Sequence, residues 1–263
     1  MTDTLSQSRD RSPARRHAVI TGGGSGIGAA IANQLMLSGA CVTVMGRRLE
    51  KLESVIAGMD QARAVAMDVS DEKSVETAMS SAVDGFGAVD ILINNAGFVS
   101  PEKLERMSPA AFRQALDVNL MGPFLCSRQV LPGMISNGSG QIINIASTAA
   151  LKGYAYVSAY TAAKHGVLGL TRALALEVAA NGVTVNAVCP GYTNTEIVET
   201  ALQNIQEKTG RSRTEALCEL TKTNPQGRLI EPWEVAKTVL WLCQPGARSI
   251  TGQAITIAGG EVM

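Results

Sequence analysis

Short apolar runs alternate with amphipathic segments along most of the chain, and this alternation restricts the possible folds more than any other feature. Seven runs have the length and aliphatic content of buried strands: 17–21, 41–45, 63–67, 89–94, 141–146, 183–188 and 254–258. Segments with helical periodicity lie between them, near 26–38, 48–58, 71–84, 109–135, 159–180 and 232–243. Such alternation predicts right-handed crossovers and a sheet buried on both faces. We therefore predict an α/β fold with a doubly wound, mostly parallel, seven-stranded sheet.

No linker rich in proline or glycine and no internal repeat divides the chain, so we expect one domain over residues 17–263. Residues 192–230 form one long connection with two helical patches. An insertion of this length on an α/β scaffold is usually functional, which predicts a substrate lid. Residues 1–16 are polar and have no apolar h-region, so we expect a disordered arm and no signal peptide.

Charge and composition exclude several classes of function. Lysine plus arginine and aspartate plus glutamate both number 23, so the formal net charge is zero. Such a chain lacks the basic field that binding to nucleic acid or an anionic membrane requires. No apolar run approaches the length of a membrane span. The chain is 46% hydrophobic but only 4% aromatic, which predicts an aliphatic, alanine-rich core.

The cysteines and histidines indicate neither a disulfide framework nor a metal site. Five cysteines are scattered without CxxC spacing, and the chain has only two histidines. We interpret the cysteines as free thiols of a reducing cytoplasm. We expect no metal.

A glycine-rich turn, "TGGGSGIG", follows the first predicted strand and opens the first predicted helix. Gly22, Gly26 and Gly28 permit positive φ and a close approach of the backbone to a ligand. The following helix N-terminus would direct N–H groups and a positive dipole end at a pyrophosphate. We predict a dinucleotide site here; the alternative is a tight turn without a ligand.

Two arginines follow the second predicted strand, where an NAD-binding protein of this type carries an acidic residue. Gly46 takes that position, and Arg47 and Arg48 come next. A guanidinium binds a 2′-phosphate in bidentate fashion, so we expect NADP, with NAD possible and Arg47 as the contact. One or both arginines could instead only cap a surface loop. Asp68 could accept a hydrogen bond from adenine, or could cap the helix that begins near Asp71.

Tyr160 and Lys164 are four residues apart in "SAYTAAKHG" and would share one helix face. A free tyrosine has a pKa of about 10, and a nearby cation favours the phenolate. Lowering that pKa by about three units needs roughly 4 kcal/mol. Lys164 and an oxidised nicotinamide are plausible sources, which would make Tyr160 a general acid and base. The alternative is a helix tyrosine and a solvated lysine without function.

Together these motifs resemble the short-chain dehydrogenase/reductase family, in the branch with a single Rossmann domain. The resemblance runs from about residue 17 to the C-terminus. It depends on "TGGGSGIG", "NNAG", Asn119 in "DVNL", Ser147, the Tyr160–Lys164 pair, "PGYTNT" and "ITGQAITIAGG". Residues 145–179 resemble 3-ketoacyl reductases, polyketide ketoreductases and 3-hydroxybutyrate dehydrogenases in particular.

The resemblance implies roles for individual residues. Ser147 would hold the substrate oxygen, Lys164 would bind the nicotinamide ribose, and Asn119 would distort its helix and bind a water of a proton relay. Asn94 would stabilise the sheet near the adenosine. The implied cofactor-site residues are Gly22, Ser25, Gly26, Ile27, Gly28, Arg47, Arg48, Asp68, Val69, Asn95, Ala96, Gly97, Tyr160, Lys164, Pro190, Gly191, Thr193 and Thr195.

These residues predict an oxidoreductase that moves a hydride between a nicotinamide cofactor and a small-molecule ketone or secondary alcohol. A 3-oxoacyl thioester is the favoured substrate; the alternatives are a cyclic or polyketide-type ketone, a polyol, or a nucleotide sensor without catalysis. Candidate substrate residues are Ser147, Tyr154, Tyr156, Tyr192 and Ile197.

Two features of the predicted helices concern the lid and assembly. The apolar positions of the first helical patch could cover an acyl chain or only pack a surface helix on its neighbour; they are Ile197, Val198 and Leu202. Candidates for binding a phosphate of the substrate are Lys208, Arg211 and Arg213. Small residues on the helix that carries Tyr160 allow close helix packing. The family resemblance implies a homotetramer through the helical segments 109–135 and 159–180.

Overall fold

The computed structural model describes residues 15–263. Its seven strands are β1 (His17–Thr21), β2 (Cys41–Gly46), β3 (Ala62–Ala66), β4 (Ile91–Asn94), β5 (Gly140–Ile145), β6 (Val183–Pro190) and β7 (Ala254–Ile257). They form one sheet in the order β3-β2-β1-β4-β5-β6-β7. Each pairing between neighbouring strands of this sheet is parallel. The predicted doubly wound fold is confirmed.

Helices cover both faces of the sheet. They are α1 (Gly26–Leu37), α2 (Leu49–Ile56), α3 (Glu72–Phe86), α4 (Pro109–Leu116), α5 (Gly122–Ser136), α6 (Ser158–Val178), α7 (Glu196–Thr209), α8 (Arg213–Thr221) and α9 (Pro232–Leu242). One core lies between the sheet and α1 and α9, and a second lies between the sheet and α3, α5 and α6. In β4, Ile91 and Ile93 enter the first core whereas Leu92 enters the second, as the alternation of side chains in a strand requires.

The single helix predicted over 109–135 is interrupted. Helix α4 begins where the Ser108 hydroxyl accepts a hydrogen bond from the Ala111 N–H at 3.1 Å. A π-helical turn, Asp117–Met121, then separates α4 from α5. The Asn119 side-chain amide lies in this turn and donates to the carbonyl of Ala115 at 3.0 Å. The local distortion that the resemblance implied at Asn119 is therefore present.

Most of the predicted N-terminal arm, residues 1–14, lies outside the described residues. Its last residue, Arg16, is buried, with Nη1 donating to the Gln141 side chain at 2.9 Å and Nη2 donating to the carbonyl of Cys243. Cys243 follows the C-terminus of α9, where a cation complements the helix dipole. The predicted arm therefore extends too far at Arg16, because this guanidinium binds the end of a helix.

The 192–230 insertion folds into α7 and α8. Val198 and Leu202 of α7 are buried against Ala216 of α8, so their side chains pack one helix of the insertion on its neighbour, whereas the lid stays a prediction. Ile197 is 50% exposed. Among residues 15–263, no helix combines the length and apolar character needed to cross a bilayer.

Candidate active site

The glycine turn, where a phosphate cradle is predicted, connects β1 to α1. Gly22 and Gly26 have φ of 66° and 52°, values that glycine adopts readily. A Cβ on Gly28 would lie 2.3 Å from the carbonyl oxygen of Gly22, so only glycine fits there. Ser25 at the N-cap makes no side-chain hydrogen bond to the first turn of α1. The amides of this turn can therefore bind an anion.

The "NNAG" segment after β4 supports this cradle. The Asn95 amide donates to the carbonyls of Thr21 and Gly22, both at 3.0 Å. The Thr21 hydroxyl accepts from the backbone N–H groups of Asn95 and Ala96, also at 3.0 Å. Asn94 is buried and donates instead to the Asn144 side chain at 2.8 Å, which links β4 to β5. Asn94 thus stabilises the sheet, as the resemblance implied.

Arg47 and Arg48 follow β2 and lie near different carboxylates: Arg47 near Asp68, and Arg48 near Glu196. Arg48 lies at the N-cap of α2, and its Nη2 is 4.0 Å from Glu196. Lys51 of α2 also binds Glu196, at 2.8 Å. This pairing joins the start of α7 to the β2–α2 connection. The sequence alone gave no sign of Glu196, since its partner Lys51 is 145 residues away.

Asp68 follows β3 and holds a local turn. Its Oδ1 accepts hydrogen bonds from the Ser70 hydroxyl at 2.6 Å and from the Ser70 N–H at 2.9 Å. These bonds, with a smaller contribution from Arg47, lower the pKa of the Asp68 carboxyl. The helix cap is Asp71, which accepts from the Ser74 N–H at 3.1 Å. The alternative that Asp68 caps α3 is therefore wrong, and adenine binding stays a prediction.

Three of the predicted cofactor residues pack their side chains against the cores: Ile27, Val69 and Ala96. Ile27 packs against the first core and Val69 against the second, where a Cβ on Gly122 would lie 3.0 Å from the Val69 side chain. Any contact of Val69 with a cofactor would therefore be through its backbone.

Ser147, Tyr160 and Lys164 meet at the carboxyl end of β5. The Ser147 hydroxyl accepts from the Ala149 N–H at 3.1 Å, at the start of a 3₁₀ turn over Thr148–Ala150. Helix α6 carries Tyr160 and Lys164 on one face. The Lys164 ammonium is buried, donates to the Ile145 carbonyl at 2.8 Å and lies 5.6 Å from the centroid of the Tyr160 ring.

Burial controls the protonation of the tyrosine and the lysine. It raises the pKa of Tyr160 to about 12, and a hydrogen bond with the Ser147 side chain partly opposes this change. Burial also lowers the pKa of Lys164 to about 8. The predicted lowering of the Tyr160 pKa by Lys164 is therefore not found among the side chains of the protein. The physical reason is that the cost of desolvating the phenolate outweighs the effect of a cation whose hydrogen bond goes to Ile145.

Asn119 and Lys164 both lie beside Gly97. Asn119 is buried; its amide donates to the Phe98 carbonyl at 3.0 Å and its oxygen accepts from the Phe98 N–H at 3.2 Å. A Cβ on Gly97 would lie 2.7 Å from the Asn119 oxygen and 3.7 Å from the Lys164 ammonium. A glycine is therefore required where these two side chains approach each other. The water relay through Asn119 stays a prediction.

The segment after β6 closes over the glycine turn. Pro190 ends β6, and the Gly191 N–H donates to the Ile257 carbonyl at 3.0 Å. The Thr193 hydroxyl donates to the Gly191 carbonyl at 3.0 Å, and the Thr195 hydroxyl donates to the Thr193 carbonyl at 3.1 Å. The Thr195 methyl lies 3.0 Å from where a Cβ of Gly26 would be. The root of the insertion thus contacts the predicted pyrophosphate cradle.

The predicted substrate residues separate into two groups. The rings of Tyr154 and Tyr192 meet edge to face at 6.4 Å between centroids. Tyr156 is 60% exposed with φ of 70°, an uncommon conformation for tyrosine, and Ile197 is on the exposed side of α7. Tyr154 and Tyr192 therefore form a common wall, whereas the structure does not join Tyr156 or Ile197 to it.

Other parts of the site differ from what the sequence suggested. Arg211 pairs with Glu219 at 3.3 Å and Arg213 pairs with Glu199 at 2.7 Å, so neighbouring carboxylates already bind two of the three candidate phosphate ligands, whereas the third, Lys208, stays a prediction. The Tyr154 hydroxyl lies 2.8 Å from Glu261, a residue that sequence reasoning missed. The two residues are 107 positions apart, and no local pattern marks such a contact.

Comparisons with known proteins agree with this geometry. The sequence profile of the family described as short chain dehydrogenase matches residues 16–206. A 3-oxoacyl-acyl-carrier-protein reductase of Vibrio cholerae is 38% identical over 248 residues, which cover 94% of this chain and 97% of the relative. A D-beta-hydroxybutyrate dehydrogenase of Rhizobium meliloti is 37% identical over 250 residues, with coverage of 92% and 97%. The crystal structure of an actinorhodin polyketide ketoreductase with NADPH aligns at a TM-score of 0.90 and 36% identity, covering 94% of this chain and 97% of that one.

Proposed function

This chain belongs to the short-chain dehydrogenase/reductase family, and from that premise we propose that it reduces the ketone of a 3-oxoacyl thioester with NADPH. The family assignment makes it an NAD(P)-dependent oxidoreductase that acts on ketone and secondary-alcohol groups. The observation that carries the proposal is the meeting of Ser147, Tyr160 and Lys164 at the carboxyl end of β5. Ligand sites of open α/β sheets lie at this edge.

The residues of the crevice fit a dinucleotide. The glycine cradle and the N-terminus of α1 would hold the pyrophosphate, Arg47 a 2′-phosphate, and Lys164 the nicotinamide ribose. Gly191 and Thr195 would face the carboxamide. The bound nicotinamide supplies the hydride, while the protein supplies position and electrostatics. Gly46 in place of an acidic residue at the end of β2, and the NADPH in the related ketoreductase structure, support the phosphorylated cofactor.

Tyr160 acts as the proton donor in this proposal. With a pKa near 12, its phenol is protonated at neutral pH, the form that can transfer a proton to a carbonyl oxygen. Ser147 holds the same oxygen and stabilises the charge that develops on it. Oxidation of an alcohol would instead need the phenolate, which burial disfavours. The protonated phenol is thus the form that the reductive half of this reversible reaction uses.

Lys164 and Asn119 support that donor. The Lys164 ammonium, with a pKa near 8, is largely charged at pH 7 and is fixed by the Ile145 carbonyl. Its charge stabilises the phenolate that remains after proton transfer. Asn119 also lies beside Gly97, where it would hold a water that returns the proton from solvent.

Two substrate classes are supported by specific observations. An acyclic thioester is favoured by the similarity to a 3-oxoacyl-acyl-carrier-protein reductase and by the resemblance of residues 145–179 to 3-ketoacyl reductases. The aromatic wall of Tyr154 and Tyr192 favours a cyclic or polyketide-type ketone, because ring faces pack well on flat rings. We rank the thioester first.

A substrate panel tests this proposal. Acetoacetyl thioester, cyclic diketones and sugars should each be mixed with NADPH and with NADH, and the absorbance of the reduced nicotinamide followed. We expect ketone-dependent oxidation of NADPH, with the thioester giving the highest kcat/KM. Turnover of sugars alone would contradict the proposed substrate class, and cofactor binding without any turnover would indicate a nucleotide sensor.

We further propose one domain over residues 17–263, with 192–230 as a lid, assembled as a homotetramer. The outward face of α6 presents small residues at helical spacing, among them Ala162 and Gly169, and ends in Leu176, which is 84% exposed. Phe124 and Ile135 of α5 are exposed as well. Apolar side chains beside small residues suit close packing of helices between subunits.

Five free cysteines support a location in the reducing cytoplasm.

A further inference from the structure

Three hydrogen-bond donors from two segments of the chain converge on one oxygen of Glu261. Oε1 accepts from the Tyr154 hydroxyl at 2.8 Å and from the Thr223 hydroxyl at 2.8 Å, and the Lys152 ammonium lies 3.0 Å away. The Glu261 side chain is only 2% exposed. A buried carboxylate is costly unless it is paired and hydrogen-bonded, and here it has both kinds of partner.

The bonds form a chain that leads to the catalytic serine. The Tyr154 hydroxyl is also 2.6 Å from the Thr148 hydroxyl, and one phenol proton cannot serve both partners. Because an ionised carboxylate only accepts, Tyr154 donates to Glu261 and accepts from Thr148. Thr148 directly follows Ser147. Through Tyr154 and Thr148, Glu261 therefore helps to fix the loop that carries Ser147.

Two glycines after β7 deliver this carboxylate beneath the lid. Gly259 and Gly260 have φ of 60° and 92°. A Cβ on Gly259 would lie 2.1 Å from the Asn224 side-chain oxygen, and a Cβ on Gly260 would lie 3.2 Å from Pro225. The chain passes under residues 224–225 only because these side chains are absent. The second Glu261 oxygen then lies 3.1 Å from where a Cβ of Gly191 would be.

The carboxylate of Glu261 therefore links two segments that surround the crevice by hydrogen bonds and lies beside a third. Tyr154 and Lys152 belong to the loop after β5, Thr223 follows α8 of the lid, and Gly191 begins the segment after β6. We propose that Glu261 is a positioning residue for the ketone, which holds the Tyr154–Tyr192 wall and the end of the lid at a fixed distance from Ser147. This inference rests on the proposed ketone reduction, because it assigns Glu261 to the substrate side of that site.

The test compares Glu261→Gln with the matched control Glu219→Gln. Glu219 is an exposed lid residue of α8 that pairs with Arg211 and Lys222. In Glu261→Gln a neutral amide replaces the charged acceptor, and charge-assisted hydrogen bonds are roughly twice as strong as neutral ones. We expect the KM of the best ketone to rise about tenfold, with kcat lowered less and the dissociation constant of NADPH within about twofold. Glu219→Gln should match the wild type.

Thr223→Val provides a milder variant if Glu261→Gln does not fold. It removes one donor from the same oxygen, and we expect KM to rise about threefold. An unchanged KM in both variants, or a lower melting temperature with an unchanged KM, would overturn the proposal, since a merely structural carboxylate would alter stability alone.

Hydrogen exchange separates this inference from the proposed function. In Glu261→Gln, amides of residues 148–156 and 222–230 should exchange faster than in the wild type, whereas those of β1 and β4 should not change. If the wild type reduces no ketone, the proposed function fails, but the exchange result still shows whether Glu261 holds the loop after β5 and the end of the lid in place. Unchanged exchange in both segments would contradict that positioning role.

Discussion

Single residues at the site have properties that depend on burial more than on sequence spacing. The four-residue spacing of Tyr160 and Lys164 correctly indicates that they share a helix face, but not where their polar atoms point. The Lys164 ammonium binds the Ile145 carbonyl and lies over the tyrosine ring, so burial sets the pKa of the phenol. The result is a phenol that stays protonated at neutral pH.

The pH dependence of ketone reduction follows from these two groups. The phenol stays protonated until about pH 12, whereas Lys164 loses its proton above about pH 8. We predict that kcat/KM for reduction is constant from about pH 6 to near 8 and then falls, by at most about tenfold per unit, as the ammonium is neutralised. Steady-state rates across this range are the measurement. A rate that rises with pH would mean that the phenolate, not the phenol, is required.

Arg47 and Arg48 should differ in their effect on cofactor choice. Arg48 already lies near Glu196, whereas Arg47 lies on the side of Asp68. We predict that Arg47→Ala raises the KM for NADPH by about 10- to 100-fold, the worth of a lost charge-assisted bond, and leaves the KM for NADH nearly unchanged. Arg48→Ala should have the smaller effect. The reverse order would assign the 2′-phosphate to Arg48.

At the scale of elements, periodicity predicted the positions of the strands but not the interruption of the helix over 109–135. The seven strands were predicted because buried parallel strands are continuous aliphatic runs, and each lies within about two residues of its predicted position. The division of 109–135 into α4, a π turn and α5 could not be predicted from periodicity. One extra residue shifts the phase of the helix by about 100°, but the buried positions of α5 include Gly122, Pro123 and Ser127, so no clear apolar stripe shows the shift. Only the resemblance pointed to Asn119.

The β1–α1 turn gives a prediction about one glycine. A Cβ on Gly28 would overlap the Gly22 carbonyl, so Gly28→Ala must displace the cradle. We predict a loss of about 1–3 kcal/mol in the free energy of unfolding and at least about tenfold weaker NADPH binding. Urea unfolding and fluorescence titration with NADPH measure these quantities.

Gly133→Ala is the control for that variant. Gly133 lies inside α5, where a Cβ would have no atom within 4 Å. We expect unchanged NADPH binding and a gain of about 0.5–1 kcal/mol in unfolding free energy, because alanine restricts the unfolded chain. Equal effects of the two substitutions would contradict the special role of the cradle.

At the scale of the whole molecule, contacts between distant segments complete the site, and these were the least predictable. Glu261 meets Tyr154 and Thr223, and Glu196 meets Lys51, only after the sheet has brought their segments together. The motif residues were predictable because each chemical role restricts residue type and position. A carboxylate whose partners are distant in sequence and meet it only in the folded protein has no such sequence signature.

The proposed tetramer gives a prediction about the exposed face of α6. Light scattering of the wild type should give a mass of about four chains. Gly169 has no atom within 4 Å of a Cβ position, so Gly169→Glu should fold but place charges in the interface and lower the mass to two chains or one. Thr77→Glu, on the exposed side of α3, is the matched control and should stay tetrameric. A monomeric wild type would contradict the proposed assembly.

The most direct test of the account is the single-turnover rate of ketone reduction by wild type and Tyr160→Phe, each preloaded with NADPH. Removal of the phenol proton should slow the loss of nicotinamide absorbance by about 10²–10⁴-fold, while the dissociation constant of NADPH stays the same. A Tyr160→Phe enzyme that reduces the ketone at the wild-type rate would show that another group supplies the proton.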